Sequence, residues 1–254
     1  MKPILILAAV PLETALLEGA LEKPARCKTA ALDYREGHLG RLPVTVCSGG
    51  VGKVNAAMAA ASLIERVRPG LVINTGCAGA YPGSGLTIGG LAVASDETMG
   101  DEGVLARDGW HDFQEMGLAA VARGSRHYFN RFPLSRHAAE KAMQLAEYFG
   151  VVLMRGSFVT VSTCSGTRQR GEELASRLGG IAESMEGAAV AQVCLRYGVD
   201  CLEIRGISNM VEDRDLKTWD IPRAVEAAQR FVLKYVEEMD LPEDSSFPRA
   251  TPEL

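Results

Sequence analysis

Six runs of strand length, at residues 4–9, 44–48, 71–75, 91–95, 158–162 and 201–207, are apolar without the alternation of a half-exposed strand. Unbroken apolarity in so short a run calls for burial on both faces, the situation of a strand inside a covered sheet. Between the runs lie helical periodicities, at 55–66, 138–149, 167–178, 187–197 and 222–239, the last with a proline in its first turn. Strands alternating with helices predict a single-domain, three-layer α/β fold whose central sheet is mixed and largely parallel. A chain of 254 residues, 47% of them hydrophobic, supplies the core for one such domain. No repeat or linker divides it. The domain is expected to span residues 1–240, with the prolines and acids of 241–254 as a mobile tail.

The bulk properties exclude several function classes. A formal charge of −5 opposes general affinity for nucleic acid or an anionic membrane. No stretch is long enough to span a bilayer. Residues 3–10 resemble a signal-peptide core but are short, with Glu13 following and no cleavage site, so they read as a first strand. The six cysteines (Cys27, Cys47, Cys77, Cys164, Cys194, Cys201) form no Cys-x-x-Cys and no zinc spacing. Mostly buried free thiols in a reducing cytoplasm are expected.

Chemistry-bearing residues gather where apolar runs end, and in α/β proteins ligands bind at the carboxyl ends of strands. Glu203-Ile204-Arg205-Gly206-Ile207-Ser208-Asn209 ends one run in an amide, and Ser184-Met185-Glu186-Gly187 places a carboxylate amid apolar neighbours. A carboxylate so placed is costly unless paired; two sugar hydroxyls would satisfy it, and Arg205 is the structural rival. Glu13 follows the first strand, where a solvated helix-start glutamate is the ordinary reading. Ser48-Gly49-Gly50-Val51-Gly52-Lys53 has neither the first glycine nor the Ser/Thr of a triphosphate loop. Close packing and ligand approach explain its glycines equally well. Asn74-Thr75-Gly76-Cys77-Ala78-Gly79 ends a further run in small residues that leave room above the sheet.

Together Glu13, Ser48 to Asn55, Asn74 to Gly79, Ser184 to Ala189 and Arg205 to Asn209 resemble the nucleoside phosphorylase/nucleosidase superfamily. The nearest branches are the methylthioadenosine/S-adenosylhomocysteine nucleosidases and, nearer still, the futalosine hydrolases of menaquinone biosynthesis. The resemblance implies cleavage of a purine N-glycosidic bond with neither metal nor cofactor, in a homodimer or larger assembly whose neighbouring subunit closes the pocket. Glu186 would hold the ribose 2′- and 3′-hydroxyls, with contacts that tighten as oxocarbenium charge develops. Met185 would pack under the sugar, and Cys77, Ala78 and Gly79 would line the ligand. Glu13 would deprotonate the attacking water. Asn209 would hold the base, with Ser208 and Arg205 orienting that strand end.

Two choices refine this expectation. Phosphorylases of the superfamily carry an arginine before the glycine turn; here Asn74 and Thr75 stand there, and Glu13 would repel phosphate, so water is the expected acceptor. Adenine-directed nucleosidases carry aspartate at the position of Asn209. An amide both donates and accepts, which suits a 6-oxopurine, although it then cannot supply the N7 proton itself. Futalosine release of hypoxanthine is the expected reaction. A methylthioadenosine/S-adenosylhomocysteine nucleosidase, a phosphate-dependent purine nucleoside phosphorylase and a nucleoside-binding protein without turnover are the rivals. Residues 100–133 are aromatic, basic and aperiodic, too long for an idle loop; a substrate lid or oligomer contact is expected. Within them Asp101-Glu102-Gly103-Val104 resembles a futalosine hydrolase stretch, and Arg107, Arg123, Arg126 and His127 are candidate partners for a substrate carboxylate, with solvated surface charge the default.

Overall fold

The first apolar run becomes β1 (Ile4–Ala8), buried at every position in the computed structural model, which describes residues 2–239. A 3-10 turn at Pro11–Glu13 leads to α1 (Ala15–Ala20) and a three-strand meander of β2 (Glu22–Lys28), β3 (Asp33–Leu39) and β4 (Leu42–Ser48). Next come α2 (Lys53–Val67), β5 (Leu71–Ala80) and β6 (Leu91–Met99). The aperiodic stretch folds into short strands β7 (Val104–Ala106), β8 (Gly109–His111), β9 (Val121–Arg123), β10 (Arg126–Tyr128) and β11 (Arg131–Pro133). The chain continues through α3 (Arg136–Tyr148), β12 (Leu153–Thr160), α4 (Arg168–Leu178), β13 (Gly180–Ser184), α5 (Gly187–Tyr197), β14 (Asp200–Met210) and α6 (Ile221–Met239). The expected tail at 241–254 lies outside the described residues.

Among the described residues ten strands form one mixed sheet in the order β11-β6-β12-β13-β5-β1-β4-β3-β2, with β14 pairing both β5 and β6. The pairs β1–β4, β1–β5, β5–β14, β6–β12 and β12–β13 are parallel. The double pairing of β14 has a geometric consequence: β5, β14, β6, β12 and β13 hydrogen-bond in a closed circuit, and β1 to β4 extend from it as an open wing.

Helices cover both faces, giving the expected three layers. On one side α2 and α5 present alanines (Ala56, Ala59, Ala60, Ala188, Ala189), whose small side chains let the helices seat close to the strands. On the other, Leu17 of α1, Leu145 of α3 and Phe231 and Val232 of α6 pack over Ile4, Ile73 and Ile204. Because β1, β5 and β14 run parallel, their carboxyl ends meet on one side of the sheet. That side carries the polar residues singled out above.

Candidate active site

Glu13 is held by three backbone N–H groups. Its Oε2 accepts from the N–H groups of Ala9 and Val10 at 3.0 and 3.1 Å, and its Oε1 from the N–H of Cys77 at 2.9 Å. The proline-led 3-10 turn folds the glutamate back over the end of β1 and buries it to 4% exposure, so the solvated reading does not hold. The neighbouring strand must make room. Gly76 has φ +143°, and a Cβ there would lie 2.4 Å from Glu13 Oε1 and 2.9 Å from Arg205 Nη1. Only glycine accepts both the conformation and the approach.

Beneath Glu13 runs a chain of buried charges. Arg205 donates from Nε to Glu203 Oε1 at 2.8 Å and from Nη1 to the carbonyl of Cys77 at 3.2 Å, and Nη2 lies 3.6 Å from Glu186 Oε2. Burial opposes its charge, but Glu203, Glu186 and Glu13 outweigh that and raise its pKa beyond the ordinary arginine range. Arg205 therefore faces protein groups under the site rather than its open surface. It is a partner of Glu186, as the structural reading held, but its shorter contact is to Glu203.

Glu186 occupies an electropositive corner. It is the N-cap residue of α5, and its Oε1 accepts from the N–H of Gly52, at the N-terminus of α2, at 2.9 Å. Two positive helix ends and one guanidinium thus offset the desolvation of this carboxylate. The Gly52 donor comes from a glycine at φ +92°, a conformation that favours glycine, although a Cβ there would meet nothing within 4 Å. Met185, half-buried, also donates its N–H to Glu186 at 3.3 Å.

Asn209 reaches the site through a bulge. The β14–β5 register shifts between Ile207 and Asn209, so Asn209 sits opposite Gly79, and an added residue re-aims the side chains that follow. The Asn209 Oδ1 accepts from Ser208 Oγ at 2.8 Å and its Nδ2 donates to the carbonyl of Met210 at 3.1 Å; the Ser208 hydroxyl also meets the carbonyl of Ala78 at 3.2 Å. An amide has two donors and two acceptor positions, so one of each is left. Burial first, then the Glu13 charge, push the Cys77 thiol up to about 12, which leaves it a neutral wall residue.

Two carboxylates of this cluster carried no role in the sequence reading. Glu203 and Glu97 are both fully buried. The signal for Glu203 was present: residues i and i+2 of a strand share a face, so Glu203 had to accompany Arg205 inward. Glu97 hid in the polar end of β6.

The aperiodic stretch is structured as two surface hairpins and the edge strand β11. It is tied to the glycine turn by Lys53, which pairs with Asp101 and, at 3.3 Å, with Glu102. Burial opposes ionisation of Asp101, but Lys53 and the Ser162 N–H prevail and hold it below the usual carboxylate range. Arg107, Arg123, Arg126 and His127 are exposed, in keeping with solvated charge. A cavity of about 680 Å³ opens here, lined by Asp96, Thr98, Trp110 and His127 among others. Asp96 and Thr98 point away from the face that carries Glu97, so this cavity is separate from the Glu13–Glu186 cluster. Among the described residues all six cysteines are free; Cys47, Cys194 and Cys201 are buried, whereas Cys164 is exposed. No described helix is long and apolar enough to cross a membrane.

The chain is 37% identical over 189 residues to futalosine hydrolase of Thermus thermophilus, covering 74% of this chain and 79% of that protein. It is 29% identical over 239 residues to the 5'-methylthioadenosine/S-adenosylhomocysteine nucleosidase of Bacillus thuringiensis, covering 93% and 99%. In fold it resembles the crystal structure of the corresponding Neisseria meningitidis nucleosidase in complex with methylthio-immucillin-A, at a TM-score of 0.81, 24% identity and coverage of 93% and 99%. A family model described as the phosphorylase superfamily matches residues 3–237, nearly the whole described chain, and the protein belongs to that superfamily.

Proposed function

We propose that this N-glycosidic hydrolase acts on futalosine, releasing hypoxanthine by attack of water at the anomeric carbon. Glu13 serves as general base. Three backbone donors fix its carboxylate, and a carboxylate has about four acceptor positions, so one remains for the attacking water. Glu186 binds the ribose hydroxyls, and Met185 packs beneath the ring. As the bond to the base breaks, oxocarbenium charge grows next to Glu186, and contacts that strengthen then lower the barrier. Cys77, Ala78 and Gly79 line the path between sugar and base.

The observation that carries the substrate assignment is the spare hydrogen-bonding capacity of Asn209. The free N–H matches a 6-oxo acceptor and the free lone pair matches a protonated N7, the pattern of departing hypoxanthine. Ser208 holds that amide in place. The 37% identity to futalosine hydrolase supports the same reading. A second reading, adenine release from methylthioadenosine or S-adenosylhomocysteine, is favoured by the fuller coverage of those relatives. The enzyme works as a homodimer or higher homo-oligomer in the cytoplasm, which sedimentation and fractionation would check.

Incubation with futalosine, inosine and methylthioadenosine, with and without phosphate, followed by chromatography of the released base, tests the assignment. Phosphate-independent hypoxanthine release from futalosine is expected. Dominant adenine release would replace it with the second reading, and strict dependence on phosphate would replace hydrolysis with phosphorolysis.

A further inference from the structure

The buried acid cluster contains more carboxylates than the reaction uses. Glu13, Glu186, Glu203 and Glu97 surround a single guanidinium, Arg205. Glu97 Oε2 accepts from Thr160 Oγ1 at 2.8 Å, and that hydroxyl accepts in turn from the N–H of Ala188 at 2.7 Å. Glu203 Oε1 accepts from Arg205. The two remaining oxygens, Glu97 Oε1 and Glu203 Oε2, are buried and have no partner. Both crowd the same point: a Cβ on Gly187 would lie 2.0 Å from the first and 2.5 Å from the second. Two ionised carboxylates in such proximity repel each other strongly in a low-dielectric interior. A single proton between them turns two orphaned acceptors into one hydrogen bond.

We propose that Glu97 carries a proton on Oε1 and donates it to Glu203 Oε2, and that this carboxyl–carboxylate pair is the positioning device that holds Arg205, and through it Glu186, in register. Deprotonation breaks the contact, leaves Glu203 beside a second negative charge, and loosens its grip on the Arg205 Nε. The pair touches neither sugar nor base, so its residues position and do not catalyse. The functional half of the inference rests on Glu186 being the sugar clamp; the shared proton does not.

Other groups around Glu97 leave this assignment intact. From β14 it faces Glu203, Arg205 and Cys201, with Cys194 of α5 behind the latter, and Tyr81 lies beyond the end of β5. The contact to Cys194 and burial hold the Cys201 thiol well up, and burial does the same for the Tyr81 hydroxyl. Both therefore stay neutral at moderate pH. Burial, followed by the charge of Glu203, pushes the Glu97 carboxyl well above the usual range, against the opposing pull of Thr160 and Arg205.

Infrared difference spectra of the intact protein, recorded with pH titration, test the shared proton without any substrate. A protonated-carboxyl stretch is expected at neutral pH, lost on titration to alkaline pH and missing from Glu97→Gln. Its absence from the wild type, or its persistence in Glu97→Gln, would overturn the proposal. Kinetics test the positioning role. The wild-type kcat should fall over the alkaline range in which the band disappears, and Glu97→Gln, whose amide donates at every pH, should lack that fall. Glu97→Ala should lose on the order of tenfold in kcat with a smaller change in KM, rescued by the glutamine variant; if it does not fold, the glutamine variant alone decides. An unchanged alkaline fall in Glu97→Gln would refute positioning even where the band behaves as expected. Failure of every nucleoside to react would refute the function while the infrared result still judged the pair.

Discussion

Arginine–glutamate pairs occur in two very different settings in this protein. On the outer faces of α3, α4 and α6, Arg136–Glu140, Arg168–Glu172 and Arg230–Glu226 meet at 2.6–2.7 Å across one helical turn, exposed to water. Under the site, Arg205 and Glu203 meet at 2.8 Å with 1% and 0% of their side chains exposed. The distances are nearly the same, so distance does not set their worth. Solvent screens the first group, and its net effect is close to nil. In the second, each charge has been taken from water and depends on its partners, so removing one strands the others. The site is held together by a network that the rest of the surface only imitates.

Removing the arginine should break the comparison most severely. Arg205→Met leaves Glu203 and Glu186 buried without their cation, and chemical denaturation should show a loss of about 3–5 kcal/mol, with activity gone. A loss no larger than that of a surface pair would mean the network is not integral to the fold. Glu13→Gln should separate function from folding: kcat is expected to fall by a factor on the order of 10²–10⁴, while affinity for the nucleoside is kept. A variant that turns over normally would remove Glu13 as base.

A third prediction uses the raised Glu97 carboxyl. In the unfolded chain this group titrates at about 4.3. Its contribution to stability is complete below that pH, declines as pH rises toward the folded value, and is lost above it. The slope is at most about 1.4 kcal/mol per pH unit. Melting temperature followed against pH should decline less steeply in Glu97→Gln than in the wild type; parallel curves would show that Glu97 is ionised in the native state. Asn209→Asp should move the kcat/KM ratio of adenine to hypoxanthine release by about tenfold toward adenine, equivalent to ~1.4 kcal/mol; an unmoved ratio would take base selection away from this residue. Smallest of all, Glu140→Ala should leave the melting temperature unchanged within error, and a clear drop would restore value to the surface pairs.

The core strands and helices were legible in the sequence because they are buried and their periodicity records it. β2 and β3 were not. Glu22-Lys23-Pro24-Ala25-Arg26-Cys27-Lys28 is charged and largely exposed, and it becomes a strand only by pairing with β3, which in turn pairs with β4. β13 is too short to show a period, and β7 to β11 are held by pairing and by contacts such as Arg177 over Trp110 at 4.0 Å. The site divided in the same way. Glu13, Glu186 and Asn209 stand out locally, each a polar residue beside apolar ones. Their supports do not: the N–H groups of Ala9, Val10 and Gly52 carry no side-chain signature, and Glu97 meets Glu203 only when β14 pairs with β6.

The closed strand circuit also bears on how copies of the chain can meet. With five strands hydrogen-bonded in a ring, the described main sheet has free edges only at β2 and β11. β2 carries Pro24 with Lys23 and Arg26, and β11 carries Pro133 with Arg131. Proline withholds a backbone donor, and charge disfavours an incoming strand, so both margins resist extension by another backbone. The described main sheet thus lacks a good template for edge-to-edge aggregation. Any contact between copies through this sheet would fall to the side chains on its faces.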